Sequence, residues 1–177
     1  MARNTEWKYD DLIASVDPLA HGRSFNVGKK LFSVANCVGC HKLNNVGQEI
    51  GPDLSKLDAK KKVTPHILRS LLEPSKDIDE KYQSSSFVMD SGKIITGMVT
   101  KEDASTVTVM VDPLAKAAPL VLQKDEIDER SKSKVSIMPK GLLNKLTAEE
   151  ILDLIAYVHA GGDMKHMLFK GHHHHNH

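Results

Sequence analysis

The sequence predicts an α+β chain, with helical segments towards both ends and a run of short antiparallel strands between them. Two observations carry this. Apolar residues recur at helical spacing in "NVGKKLFSVAN", "TPHILRSLLEPS" and "KLTAEEILDLIAYVHA". Between the last two segments the period switches to two, beginning at "YQSSSFVM". A third observation bounds the class: no apolar run is long enough to span a bilayer, and 177 residues suit one domain, or a small one with a sizeable insertion.

Taken in order, the N-terminal "MARNTEWKYDDLIASVD" holds no apolar signal core, and with Trp7 and "DDLI" residues 1–21 look like a linker or extension that precedes a domain. The first helix places Gly28, Leu31, Phe32 and Ala35 on one side. In the second, Thr64-Pro65 is a start signal and Pro74-Ser75 marks the end. The strands follow. Asp90-Ser91-Gly92-Lys93 is a turn, "IITGMVT" carries Gly97 at an expected bend, and "STVTVMV" puts Val107, Val109 and Val111 on one face. "PLVLQ" and "IDER" complete a set of five, short and bent enough to suggest a small SH3-like or Sm-like barrel. In the last helix Thr147 and Glu150 form a capping box ahead of an apolar stripe of Ile151, Leu154, Ile155 and Val158.

The only two cysteines lie in "ANCVGCHKLN", with His41 directly after Cys40. A thioredoxin-like redox pair needs a preceding strand and a βαβ pattern, whereas a helix precedes this one. A structural zinc site needs four ligands, and no second pair stands at finger-like spacing in the folded part. A disulfide over two intervening residues would close almost no loop. The reading that uses all three residues is c-type haem attachment, with Cys37 and Cys40 as thioethers and His41 as an iron ligand. Composition agrees: aromatic content is 5%, lean for a packed core, and a buried haem would supply apolar surface.

For the other face of the iron, Met138 is the expected ligand. It lies in "SIMPKG", beside a proline and a glycine and outside any periodic pattern, and loops are where ligands are presented. Met89, Met98 and Met110 alternate with strand residues and read as core fillers. His66 reads as a solvent-facing residue of a first helical turn, and His21 and His159 carry no motif. Lys+Arg is 24 against Asp+Glu 23, so the global field steers the chain to neither nucleic acid nor an anionic membrane.

With these residues in view, "GKKLFSVANCVGCHKLNNVGQEIGPDLSKL" resembles the first half of a class I cytochrome c, and "KLTAEEILDLIAYVHA" resembles its C-terminal helix. The resemblance implies that the Pro52 carbonyl accepts a hydrogen bond from His41, and that Gly28 and Phe32 meet Leu154 and Tyr157 where the two helices cross. His41 and Met138 are separated by more chain than that fold needs. The whole of roughly 22–160 is similar to the haem-binding domains named for planctomycete and verrucomicrobial proteins, cytochrome c domains with an inserted β module. The expected organisation is therefore a discontinuous cytochrome c domain over 22–81 and 131–160, a β module over 82–130 and a His-rich tail over 161–177.

The resemblance implies one covalently bound haem c and a single-electron carrier rather than an enzyme. Its partners would be redox proteins, a periplasmic dehydrogenase among them. The cluster Lys56, Lys60, Lys61, Lys62 and the pair Lys140 and Lys145 read first as a solvated face, as such clusters usually are, and the resemblance offers as the alternative that they dock an acidic partner. Covalent haem is expected outside the cytoplasm, so the sequence reads as a mature periplasmic chain or an excised domain. Two rival functions stand beside the carrier: a gas- or peroxide-reactive haem sensor, if the Met138 position is open, and a protein-binding adaptor with a structural haem. The tail "MKHMLFKGHHHHNH" reads either as a purification tag or as an extension that would suit copper or nickel, with Met164, His166 and Met167 beside the histidines.

Overall fold

In the computed structural model, which describes residues 4–115 and 117–171, the Asp11 carboxylate accepts the Lys8 N–H at 2.8 Å and so starts α1 (Tyr9–Val16). Leu12 and Val16 are buried, Trp7 Nε1 donates to Leu146 O at 3.2 Å, and the Arg69 guanidinium stacks over the Tyr9 ring. Residues expected to be a linker are thus packed into a folded core. Ser24 caps α2 (Phe25–Val34) by accepting the Val27 N–H at 3.2 Å. The short strands β1 (Lys42–Leu43) and β2 (Val46–Gly47) form a hairpin, and α3 (Thr64–Leu72) follows.

The chain then forms a five-stranded antiparallel sheet from β3 (Ser85–Met89), β4 (Ile94–Glu102), β5 (Thr106–Met110), β6 (Leu120–Gln123) and β7 (Ile127–Lys132). Strand order is β6-β5-β4-β3-β7, so the first strand of the sheet pairs with the last. A single 3₁₀ turn, Lys124–Glu126, separates β6 from β7. Phe87, Met89, Ile95, Val107, Val109 and Leu122 close a core of their own, with Val99 and Ile127 packed against it. Gly97 admits the β5 backbone: a Cβ there would lie 2.2 Å from Met110 O. Val111 falls beyond the end of β5 and is exposed, and Met98 and Met110 face each other half-buried, so of the three strand methionines only Met89 fills the core.

The last helix, α4 (Ala148–His159), opens with the expected capping box: Glu150 N–H donates to Thr147 Oγ1 at 3.2 Å and Thr147 N–H to Glu150 Oε2 at 2.8 Å. It crosses α2 at Gly28, where a Cβ would sit 2.4 Å from Asp153 O and 2.7 Å from Tyr157 Cβ. Arg23, ion-paired with Glu149 at 2.9 Å, and Ser24, whose N–H donates to Asp153 Oδ1 at 3.0 Å, tie the start of α2 to the same helix. After α4, Leu168 is buried and its carbonyl accepts the Arg23 N–H at 2.8 Å.

The chain divides into two compact units, one of Met1–Glu73 with Lys140–His177 and one of Pro74–Pro139. The sheet unit is wider than the 82–130 expected for it, and takes in 74–81 and 131–139. Among the described residues no helix is long and apolar enough to cross a membrane.

Candidate functional site

Helix α2 ends at Val34, and two residues later Asn36 adopts a left-handed conformation (φ 61°) that redirects the chain. Cys37–Gly39 then makes one 3₁₀ turn, closed by Cys40 N–H to Cys37 O at 3.1 Å and by His41 N–H to the same carbonyl at 2.8 Å. The turn therefore gathers both sulfurs and the imidazole onto one short segment. Cys37 is buried, Cys40 is half-buried, and no disulfide joins them.

The chain that follows folds back onto this turn. Asn44 and Asn45, both left-handed at φ 49° and 63°, supply the two positive φ values of a tight hairpin turn between β1 and β2. Gly47 (φ 109°) passes so close that a Cβ would meet His41 O at 2.1 Å. Gln48 N–H then donates to Val38 O at 3.1 Å, and Ile50 and Gly51 N–H both donate to Cys40 O, at 3.1 and 2.8 Å. This brings Pro52 to the imidazole: His41 Nδ1 donates to Pro52 O at 2.8 Å. Gly51 lies flat against the same ring, where a Cβ would be 2.7 Å from Cε1.

That geometry sets the state of the ring. Since a carbonyl only accepts, Nδ1 carries the proton in the neutral imidazole and Nε2 holds the lone pair. Burial pushes the His41 pKa down, with the Pro52 hydrogen bond acting the other way, so the ring is neutral at neutral pH. Burial, with neighbouring Cys40 adding to it, also pushes the Cys37 thiol up to about 11, a backbone hydrogen bond opposing. Held protonated at neutral pH, the Cys37 thiol is not itself the attacking thiolate that a redox pair needs. Among the described residues no three His, Cys, Asp or Glu side chains cluster as metal ligands would, which leaves a structural zinc ion without a site there.

The donor set fits a covalently held haem. Two thiols on one turn can form two thioethers, and a neutral histidine directly after them has its Nδ1 engaged and its Nε2 available to iron. Val38, Ile50, Pro52 and Leu54, all apolar and all on this turn and its loop, are only half-buried, as expected of residues against which an apolar group would pack.

Cys37, Cys40, His41 and Pro52 are thus brought together in the helical unit. Met138 belongs to the other unit. It is half-buried in an irregular segment, where its N–H donates to Ser136 Oγ at 3.1 Å and Ser136 N–H donates to Ser75 Oγ at 2.9 Å. The other candidates lie elsewhere. His66 is half-buried rather than solvent-facing, and His159 Nδ1 donates to Lys62 O at 2.7 Å. His166 Nδ1 accepts the Leu168 N–H at 3.3 Å and the ring packs edge-on to His159, while Met164 and Met167 are exposed. The histidines that would suit copper or nickel at 172–177 lie outside the described residues.

The residues that sequence reasoning missed are Gly47, Gly51, Asn44 and Asn45. Their signal was present in "NNVGQEIGP" as a turn dipeptide and two glycines, but the ring that Gly51 faces lies ten residues earlier in the chain.

Compared with known proteins, residues 25–109 match the family model described as Cytochrome c, just under half of the chain. The match includes Cys37, Cys40, His41 and Pro52 and ends within β5, short of Met138 and α4. No curated protein matches the chain. The family match supports a cytochrome c domain, and with it covalently bound haem and electron transfer.

Proposed function

We propose that this protein is a monohaem c-type cytochrome that carries single electrons between periplasmic redox partners, a dehydrogenase among them. The observation that carries the reading is the meeting of one turn, Cys37 to His41, with one carbonyl, Pro52 O, at 2.8 Å from His41 Nδ1. Cys37 and Cys40 would hold the haem covalently, and His41 Nε2 and the Met138 thioether would bind its iron. When bound, the haem supplies an iron that alternates between ferrous and ferric states. The protein's part is to hold the imidazole neutral and oriented, to keep water from the tethered face, and to present a soft thioether that favours the reduced state.

The exposed Lys56, Lys60 and Lys62 would offer positive charge to an acidic partner. The sheet supports the reading of an inserted SH3- or Sm-like module, because its first and last strands pair and one 3₁₀ turn precedes the last. On this reading the chain is a cytochrome c domain of the type named for planctomycete and verrucomicrobial proteins.

Met138 decides between carrier and sensor. In the haem-loaded protein, visible spectra of both redox states are expected to show the weak red band of a sulfur–iron bond in the ferric form and little uptake of carbon monoxide by the ferrous form. Met138→Ala should abolish the band, open the iron and lower the reduction potential. Tight carbon monoxide binding by the parent, unchanged in Met138→Ala, would favour the sensor.

A further inference from the structure

The His41–Pro52 hydrogen bond depends on where the Pro52 carbonyl points. The proline ring fixes φ, so the carbonyl direction is set by ψ, which is to say by how the residues after Pro52 are held. Before Pro52 the loop is pinned to the Cys37–His41 turn by the N–H groups of Gln48, Ile50 and Gly51. After it, the Asp53 carboxylate accepts the Ser55 N–H at 2.9 Å and closes the 3₁₀ turn Leu54–Lys56, which is a purely local bond. The tie from this turn to the rest of the loop is made by Ser55, whose Oγ accepts the Asn44 N–H at 2.7 Å. Asn44 is held in turn by its place in the hairpin. It sits at the left-handed hairpin turn beside buried Leu43, and its Nδ2 donates to Gly162 O at 3.4 Å.

We infer that Ser55 is a positioning residue for His41: its hydroxyl staples the 53–55 turn to Asn44, and through it aims the Pro52 carbonyl at Nδ1. The inference rests on the proposed haem function, since it assigns Ser55 a part in tuning the iron. An acceptor at Nδ1 raises the basicity of a ligating imidazole and so favours ferric iron. Releasing the staple lets the turn swing, lengthens the Nδ1–carbonyl bond and raises the reduction potential. Ser55 is exposed, so its replacement leaves the core untouched.

The test uses the full chain loaded with haem, in three forms: parent, Ser55→Ala and Ser55→Thr. Two quantities are read, the reduction potential and the solvent exchange rate of the His41 Nδ1 proton followed by NMR. Ser55→Ala is expected to raise the potential and speed the exchange. Ser55→Thr, which keeps the hydroxyl, is expected to return both towards the parent values. Covalent haem content should be equal in all three. A Ser55→Ala protein matching the parent in both quantities overturns the inference, and so does a Ser55→Thr protein that shifts as far as Ser55→Ala. A parent that holds no covalent haem overturns the proposed function and this inference with it, whereas a loaded parent with an unresponsive Ser55 removes this inference alone.

Discussion

The helical unit and the sheet unit bury their residues by different means. In the sheet, six apolar side chains from four strands meet around Phe87, and each is less than a tenth exposed. That core is complete with the chain's own atoms. In the helical unit, α2 and α4 pack closely at Gly28, yet the segment carrying Cys37, Cys40 and His41 is held chiefly by backbone hydrogen bonds, with Val38, Ile50 and Leu54 left half-buried. The contrast supports the reading that the 37–54 segment packs against a group the chain does not encode. A self-sufficient core needs no partner group, whereas a loop zipped to a turn by N–H···O bonds, with an oriented imidazole and apolar side chains half-open, is prepared for one.

If this contrast is right, removing the sheet should cost the helical unit little. Ser133 N–H donates to Ser84 O at 2.8 Å and Gln83 Nε2 to Ser133 O at 3.1 Å, so the two ends of the sheet segment lie side by side and a short linker can join them. Replacing residues 83–130 by such a linker is expected to abolish the β signal in circular dichroism while leaving covalent haem at the parent level. Loss of haem from every such deletion, with maturation intact, would make the sheet part of the haem-holding core.

A point change sharpens the same comparison. Phe87→Ala should destabilise the sheet unit by about 3–5 kcal/mol, the usual cost of truncating a buried aromatic, and should leave the visible spectrum of the haem unaltered. Denaturant melts followed separately in the far ultraviolet and at the haem band test this, and a parallel loss of both signals would count against independence.

The smallest effect is electrostatic. Asp103 accepts the N–H groups of Ser105 and Thr106 at 2.9 and 2.8 Å, and these bonds hold its pKa down to about 2, from 3.8. A depressed carboxyl pKa means that its contribution to stability is full above pH 3.8 and is lost as pH falls from there towards 2. Asp103→Asn should lower sheet stability at pH 7, where that contribution is full, and flatten the acid limb in that window so that parent and variant converge towards pH 2, as an acid titration followed by circular dichroism would show.

What could be read from the sequence was what is local. The Cys37-Val38-Gly39-Cys40-His41 spacing and the Thr147–Glu150 capping box are short-range signals, and each lies where its residues suggested. Gly97, read as a bend, instead lies within β4 where β5 passes close, and the register irregularity falls between Val99 and Lys101. Pro52 was found through resemblance, because a carbonyl acceptor eleven residues from its donor has no local mark. Helix α1 escaped because it spans only eight residues of a charged stretch, too short to set a period apart from its flanks, and its buried Leu12 and Val16 owe their place to tertiary packing. The unit boundary escaped for a related reason. Residues 74–81 and 133–139 lack strand or helix periodicity; Ser136 N–H to Ser75 Oγ ties these two segments to each other, and Lys132 Nζ to Glu80 Oε1 ties the first to β7.

The central claim is that Cys37 and Cys40 carry haem covalently. Its most direct test is the intact mass of the protein after expression with c-type maturation, measured once it has been denatured and extracted with acidified organic solvent. The account predicts a chain heavier by the mass of one haem, with at most a single link in Cys37→Ala or Cys40→Ala. A parent chain at its apo mass, with all haem in the organic phase, would contradict it.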